Sequence, residues 1–166
     1  MSKRTDLVFT LLQVITVVIA LLGLLAAIYL GMFGAAFCLF AIAEPDYAAL
    51  VYAVIGLITV AAVSVLSLVA LYSFFMLCRR LKRETAFTPA NGKAMHRIAL
   101  CCGCSSAGLF IALILAFFLM DGIALGFVEV MLLLTAVYLC VALLAYALEL
   151  LVHRATALQQ ENDLTI

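Results

Sequence analysis

The chain has 166 residues, of which 69% are hydrophobic and only 11% charged. A soluble domain is nearer half apolar and a quarter charged, so water is not the main solvent here. The net charge of zero also excludes the clear basic excess of a surface that binds nucleic acid directly.

A hydrocarbon core of roughly 30 Å takes about 20 apolar helical residues to cross. Residues 7–43 carry no charge, nor do 47–78 or 98–120, and 122–148 are interrupted only by Glu129. Backbone groups in lipid must be satisfied internally, and the period-two alternation of a barrel strand is absent, so each run reads as helix. The expected fold is all-α: an integral membrane four-helix bundle of two helical hairpins. It forms a single domain over 1–166, with spans near 8–32, 50–77, 98–120 and 125–148.

The first run exceeds one crossing, which places residues 33–43 at the outer interface or as a cap on the bundle. Lys3 and Arg4 before the run, with Ala41-Ile42-Ala43 after it, have the layout of a signal peptide. The apolar stretch is far longer than the roughly 7–15 residues such a segment uses, so an uncleaved anchor is expected. The second run is expected to leave the bilayer as a stalk carrying Arg79, Arg80, Lys82 and Arg83.

Lys and Arg in short loops near helix ends stay on the cytoplasmic side. All nine fall at the N-terminus, in residues 79–97, or at Arg154, whereas the other two loops carry Glu44, Asp46 and Asp121. The expected location is therefore the cell (plasma or inner) membrane, multi-pass, with both termini and the basic 79–97 loop cytoplasmic. Membrane lipid is the first partner implied.

Two stripes of small residues recur every fourth position: Gly23, Ala27, Gly31 and Ala35 on the first helix, and Cys104, Gly108, Ala112 and Ala116 on the third. Such stripes let a neighbouring helix approach closely in lipid. The spacing is compatible with packing inside one bundle or between copies in a homo-oligomer.

Glu129 is the one ionisable residue clearly inside a span, and a carboxylate there is a functional candidate by default. A proton or cation path needs more than one such group, so a Glu hydrogen-bonded to Thr135, Tyr138 or another helix is the plainer expectation. Cys101, Cys102 and Cys104 lie near the basic end of the third helix, with Cys78 at the matching end of the second. One helix does not point three such thiols at a tetrahedral centre, so no metal is expected. Buried Cys commonly acts as a small hydrophobe. Glu149 and His153, four apart, are neighbours on the emerging fourth helix. No catalytic triad, phosphate-binding glycine loop or zinc-protease motif is present, so no enzyme and no cofactor are expected.

The central loop has the most distinctive wording. Arg80 and Glu84 are spaced for an i,i+4 pair. Thr88-Pro89 reads as an N-cap followed by Pro at the first helical position, starting a helix that runs into the third span. Asn91 falls in its first turn. A basic turn facing anionic lipid headgroups accounts for the charges, though not for the wording Phe87-Thr88-Pro89-Ala90-Asn91.

Phe74-Phe75, Leu81, Phe87-Thr88-x-x-Asn91 and His96-Arg97-Ile98 together resemble the bacterial membrane family called domain of unknown function 2975. The ending, Leu158-Gln159-Gln160-Glu161-Asn162-Asp163-Leu164-Thr165-Ile166, is similar to that of many members, and the four-span layout agrees. The resemblance implies no activity. It implies a cytoplasmic helix-turn-helix transcription regulator as partner, because members are often encoded beside one. An apolar-acidic peptide of Leu158, Glu161, Asn162, Asp163, Leu164 and Ile166 offers such a partner charge or a hydrophobic anchor; the alternative is a solvated, frayed terminus. With Phe87, Thr88 and Asn91, these residues form the candidate partner-binding set. The leading expectation is a regulatory interaction protein that binds or restrains that regulator. The alternative is a small transporter or channel component using Glu129.

Overall fold

The computed structural model describes residues 3–43, 47–81, 89–119 and 125–163, and side chains over most of each segment. All four segments are α-helical: α1 (Lys3–Ala43), α2 (Tyr47–Leu81), α3 (Pro89–Leu119) and α4 (Leu125–Asp163). Each is long and apolar enough to cross a membrane. The protein is an all-α, four-helix membrane bundle.

α1 differs from its expected outline. It does not stop near Met32 but continues unbroken to Ala43. No proline or charged residue lies between them, so nothing forces a turn. At 1.5 Å per residue it is about 60 Å long, twice the hydrocarbon thickness, and must tilt or protrude. α3 begins at Pro89, as the Thr88-Pro89 pair predicts. α4 also continues past the expected end of its span, to Asp163.

Hydroxyl groups in these apolar helices are satisfied locally. Thr16, Thr59, Ser64, Ser67, Ser73, Ser105 and Thr135 each donate to the carbonyl four residues earlier. This back-bonding removes the cost of a bare hydroxyl in hydrocarbon.

The helices pack in chain order. α3 and α4 share the most extensive interface, followed by α2 with α3 and α1 with α2. Among the described residues, α1 makes no close backbone approach to α3 or α4. The buried cluster comprises Ala70 of α2, Ile98 and Cys102 of α3, and Ala142 and Ala145 of α4, with Phe74 and Tyr138 against it. The core thus sits in the basic half of α2–α4, while α1 buries little beyond Thr16. Its closest fit is Gly34, where an added Cβ would lie 3.1 Å from Leu57 Cδ1. At that end of the bundle an apolar cavity of ≈290 Å³ opens among all four helices, touching Leu30, Leu57, Leu109 and Met131.

Candidate functional site

The antiparallel hairpins bring the start of α1, the end of α2, the start of α3 and the end of α4 to one end of the bundle. That end carries Arg79, Arg80, Lys93, Arg97 and Arg154, so the charges gathered by the sequence are also gathered in space.

Several polar contacts organise this end. Arg80 Nη1 donates to the Ala90 carbonyl at 2.9 Å, fastening the end of α2 to the start of α3. The Glu84 expected to pair with Arg80 lies outside the described residues. Nearly two turns deeper, His96 Nδ1 of α3 meets Glu149 Oε2 of α4 at 3.0 Å. Glu149 and His153 are neighbours on α4 as their spacing implies, but Glu149 turns toward α3, with its side chain 15% exposed, and His153 is exposed. Further in, Ser106 donates to the Thr135 carbonyl at 3.1 Å, and Ser67 and Tyr138 hydroxyls lie 2.6 Å apart.

Of the candidate partner-binding set, Phe87, Thr88, Leu164 and Ile166 lie outside the described residues. Glu161, Asn162 and Asp163 fall on the last turn of α4, and their side chains lie outside the description. Leu158 is 66% exposed. Asn91 is fully buried, at 0%; it is part of how α3 starts rather than a surface offered to a partner. Gly92, beside it, faces α4, where an added Cβ would meet Val152 Cγ1 at 4.0 Å. Since α3 starts three positions before Gly92, α4 has no α3 beside it beyond about residue 155. The remaining helix to Asp163 outruns the start of α3 by about 12 Å.

The family model described as a protein of unknown function (DUF2975) matches residues 38–166. The chain belongs to the DUF2975 family. The same comparisons matched no curated protein and no solved structure. The DUF2975 match covers α2, α3 and α4 and only the last residues of α1, so it coincides with the helices that carry the core and its polar contacts. The basic end described above lies within it, apart from the start of α1.

The other candidates in this DUF2975 member are dispersed. Glu129 is exposed and stands just past the first turn of α4. The residues expected to bond it are engaged elsewhere: Thr135 Oγ1 donates to Met131 O and Tyr138 meets Ser67. On α1, Gly23 and Gly31 face open space and Ala35 is exposed, with Ala27 half-buried. On α3, Cys104 is exposed, Gly108 and Ala112 are half-buried, and Ala116 is fully buried. All six cysteines are free thiols, and among the described residues no three His, Cys, Asp or Glu side chains are grouped as metal ligands.

Sequence spacing missed three contacts: His96–Glu149, Ser106–Thr135 and Ser67–Tyr138. Each joins two helices, and the register between helices leaves no mark at i,i+4. The polar residues inside the spans were the signal, because such groups need partners in lipid.

Proposed function

We propose that this protein is a membrane-embedded regulatory partner that binds or restrains a helix-turn-helix regulator at its basic, cytoplasmic end. The observation that supports it is the arm of α4. The helix outruns α3 by about 12 Å and holds the side chain of Leu158 away from the bundle. Glu161 and Asp163 follow on the same helical arm. An acidic helical arm with apolar residues suits either the basic DNA-facing surface of a regulator or a hydrophobic groove on it. The orientation rests on the clustering of basic residues at this end.

The test uses the full chain in nanodiscs and a purified helix-turn-helix regulator, taken from the neighbouring gene where that gene encodes one. The intact chain captures the regulator. Deleting Leu158–Ile166 abolishes capture while the helical content of the bundle is kept. Undiminished capture by the deleted form would sink the proposal.

A further inference from the structure

The basic end contains a cavity of ≈240 Å³ between α2 and α3. Its walls are built by helical repeat. Tyr72, Met76 and Arg80 line it from α2, and Ala90, Lys93, Ala94 and Arg97 line it from α3. Residues four apart share a helix face, so each helix turns one continuous strip toward the gap. Ala90 and Ala94 leave the gap open because neither side chain extends beyond Cβ.

Among the described residues, three cations line this cavity and no carboxylate does. Arg80 is held in position by its bond to Ala90 O. Lys93 and Arg97 are exposed and have no hydrogen bond or ion pair among the described residues. The cations form a ladder rather than a point. Arg80 and Ala90 mark one level, so Arg97, seven residues further along α3, lies about 10 Å deeper, near Ser73. The long Arg and Lys stems can carry their charged heads toward the interface.

We propose that this cavity holds the phosphate of an anionic phospholipid headgroup. Guanidinium and ammonium groups lining one gap are the chemistry that recognises phosphate oxygens. The same chemistry would hold a soluble phosphate, but the order of residues favours an amphiphile. The apolar run of α2 ends at Cys78 and that of α3 begins at Ile98, so the ladder stands where hydrocarbon gives way to headgroups. Tyr72 and Met76, on the same strip as Arg80, give the gap an apolar wall level with Arg97 and Ala94, against which the start of an acyl chain would lie.

The full chain in neutral-detergent micelles is titrated with phosphatidylglycerol, phosphatidylcholine or inorganic phosphate, and binding is followed by the shift in thermal unfolding. Phosphatidylglycerol binds and phosphatidylcholine does not. Lys93→Gln and Arg97→Gln each weaken phosphatidylglycerol binding about fivefold, the worth of one cation near an anionic surface. Ala90→Leu fills the gap and weakens binding without removing a charge. Arg154→Gln, at the same end but outside the cavity, leaves it unchanged. An equal loss with Arg154→Gln, or no loss with the cavity variants, would overturn the site. Inorganic phosphate binding as tightly as the lipid would overturn the lipid as its occupant.

Discussion

The Tyr138 hydroxyl of α4 lies 2.6 Å from the Ser67 hydroxyl of α2, although no Cα of α2 comes within 8 Å of one in α4. The phenol ring spans the distance that the backbones do not close. Ser67 already donates its single hydrogen to Val63 O, so Tyr138 is the donor across the gap.

Tyr138→Phe removes that donor and little volume. Hydrogen bonds between membrane helices average about 0.6 kcal/mol and reach about 1.7, so a loss within that range is expected in detergent-denaturation titrations. A double-mutant cycle with Ser67→Ala should return most of it as coupling. Additive single effects would mean that the two hydroxyls do not support each other.

His96→Ala takes away the partner of a largely buried Glu149 side chain and is expected to cost about 1 kcal/mol of bundle stability. The imidazole is 52% exposed, which keeps the value small through solvent screening. His153→Ala, four residues from Glu149 but exposed, should change stability by less than about 0.5 kcal/mol. The reverse order would restore the local Glu149–His153 pairing that i,i+4 spacing suggests.

On α1, Gly34→Leu and Gly31→Leu should separate. The first drives a side chain into Leu57, with overpacking typically costing about 1–3 kcal/mol. The second enters open space and leaves the protomer's stability unchanged. If Gly31→Leu disperses an oligomer while the protomer stays folded, the stripe is a face between copies. Crosslinking in membranes together with unfolding titrations measures both effects.

Glu129→Gln should leave stability within about 0.5 kcal/mol, the usual range for an exposed position. Liposome flux that fell sharply with this substitution would instead favour a transport role for the residue. Paired unfolding and flux assays on the same preparation distinguish the two.

The four spans were legible because absence of charge over more than one bilayer thickness has few readings in a chain this apolar. The start of α3 was legible at Thr88-Pro89 because backbone geometry dictates it. The length of α1 was not: bilayer thickness limits a crossing but does not end a helix, and residues 33–43 contain nothing that would. Nor was the placing of small residues. Gly23 and Gly31 fit the four-residue repeat, yet Gly34, off the repeat, makes the tight contact with α2. Which face of a helix meets its neighbour depends on the neighbour, and Glu149 found His96 for the same reason. At the basic end, the sequence located the charges but not the gap between α2 and α3, which small Ala90 and Ala94 leave open opposite Arg80 and Met76.

The interhelical hydrogen bonds described above all join α2, α3 and α4. Among the described residues α1 packs along a single seam with α2, with close fits such as Gly34 against Leu57. Swinging α1 sideways in the bilayer therefore breaks none of those polar ties and leaves the basic end assembled. Such a swing would unroof the apolar cavity that Leu30 helps to enclose. In mechanical terms the described helices are a three-helix chassis with one side panel fastened along a single edge.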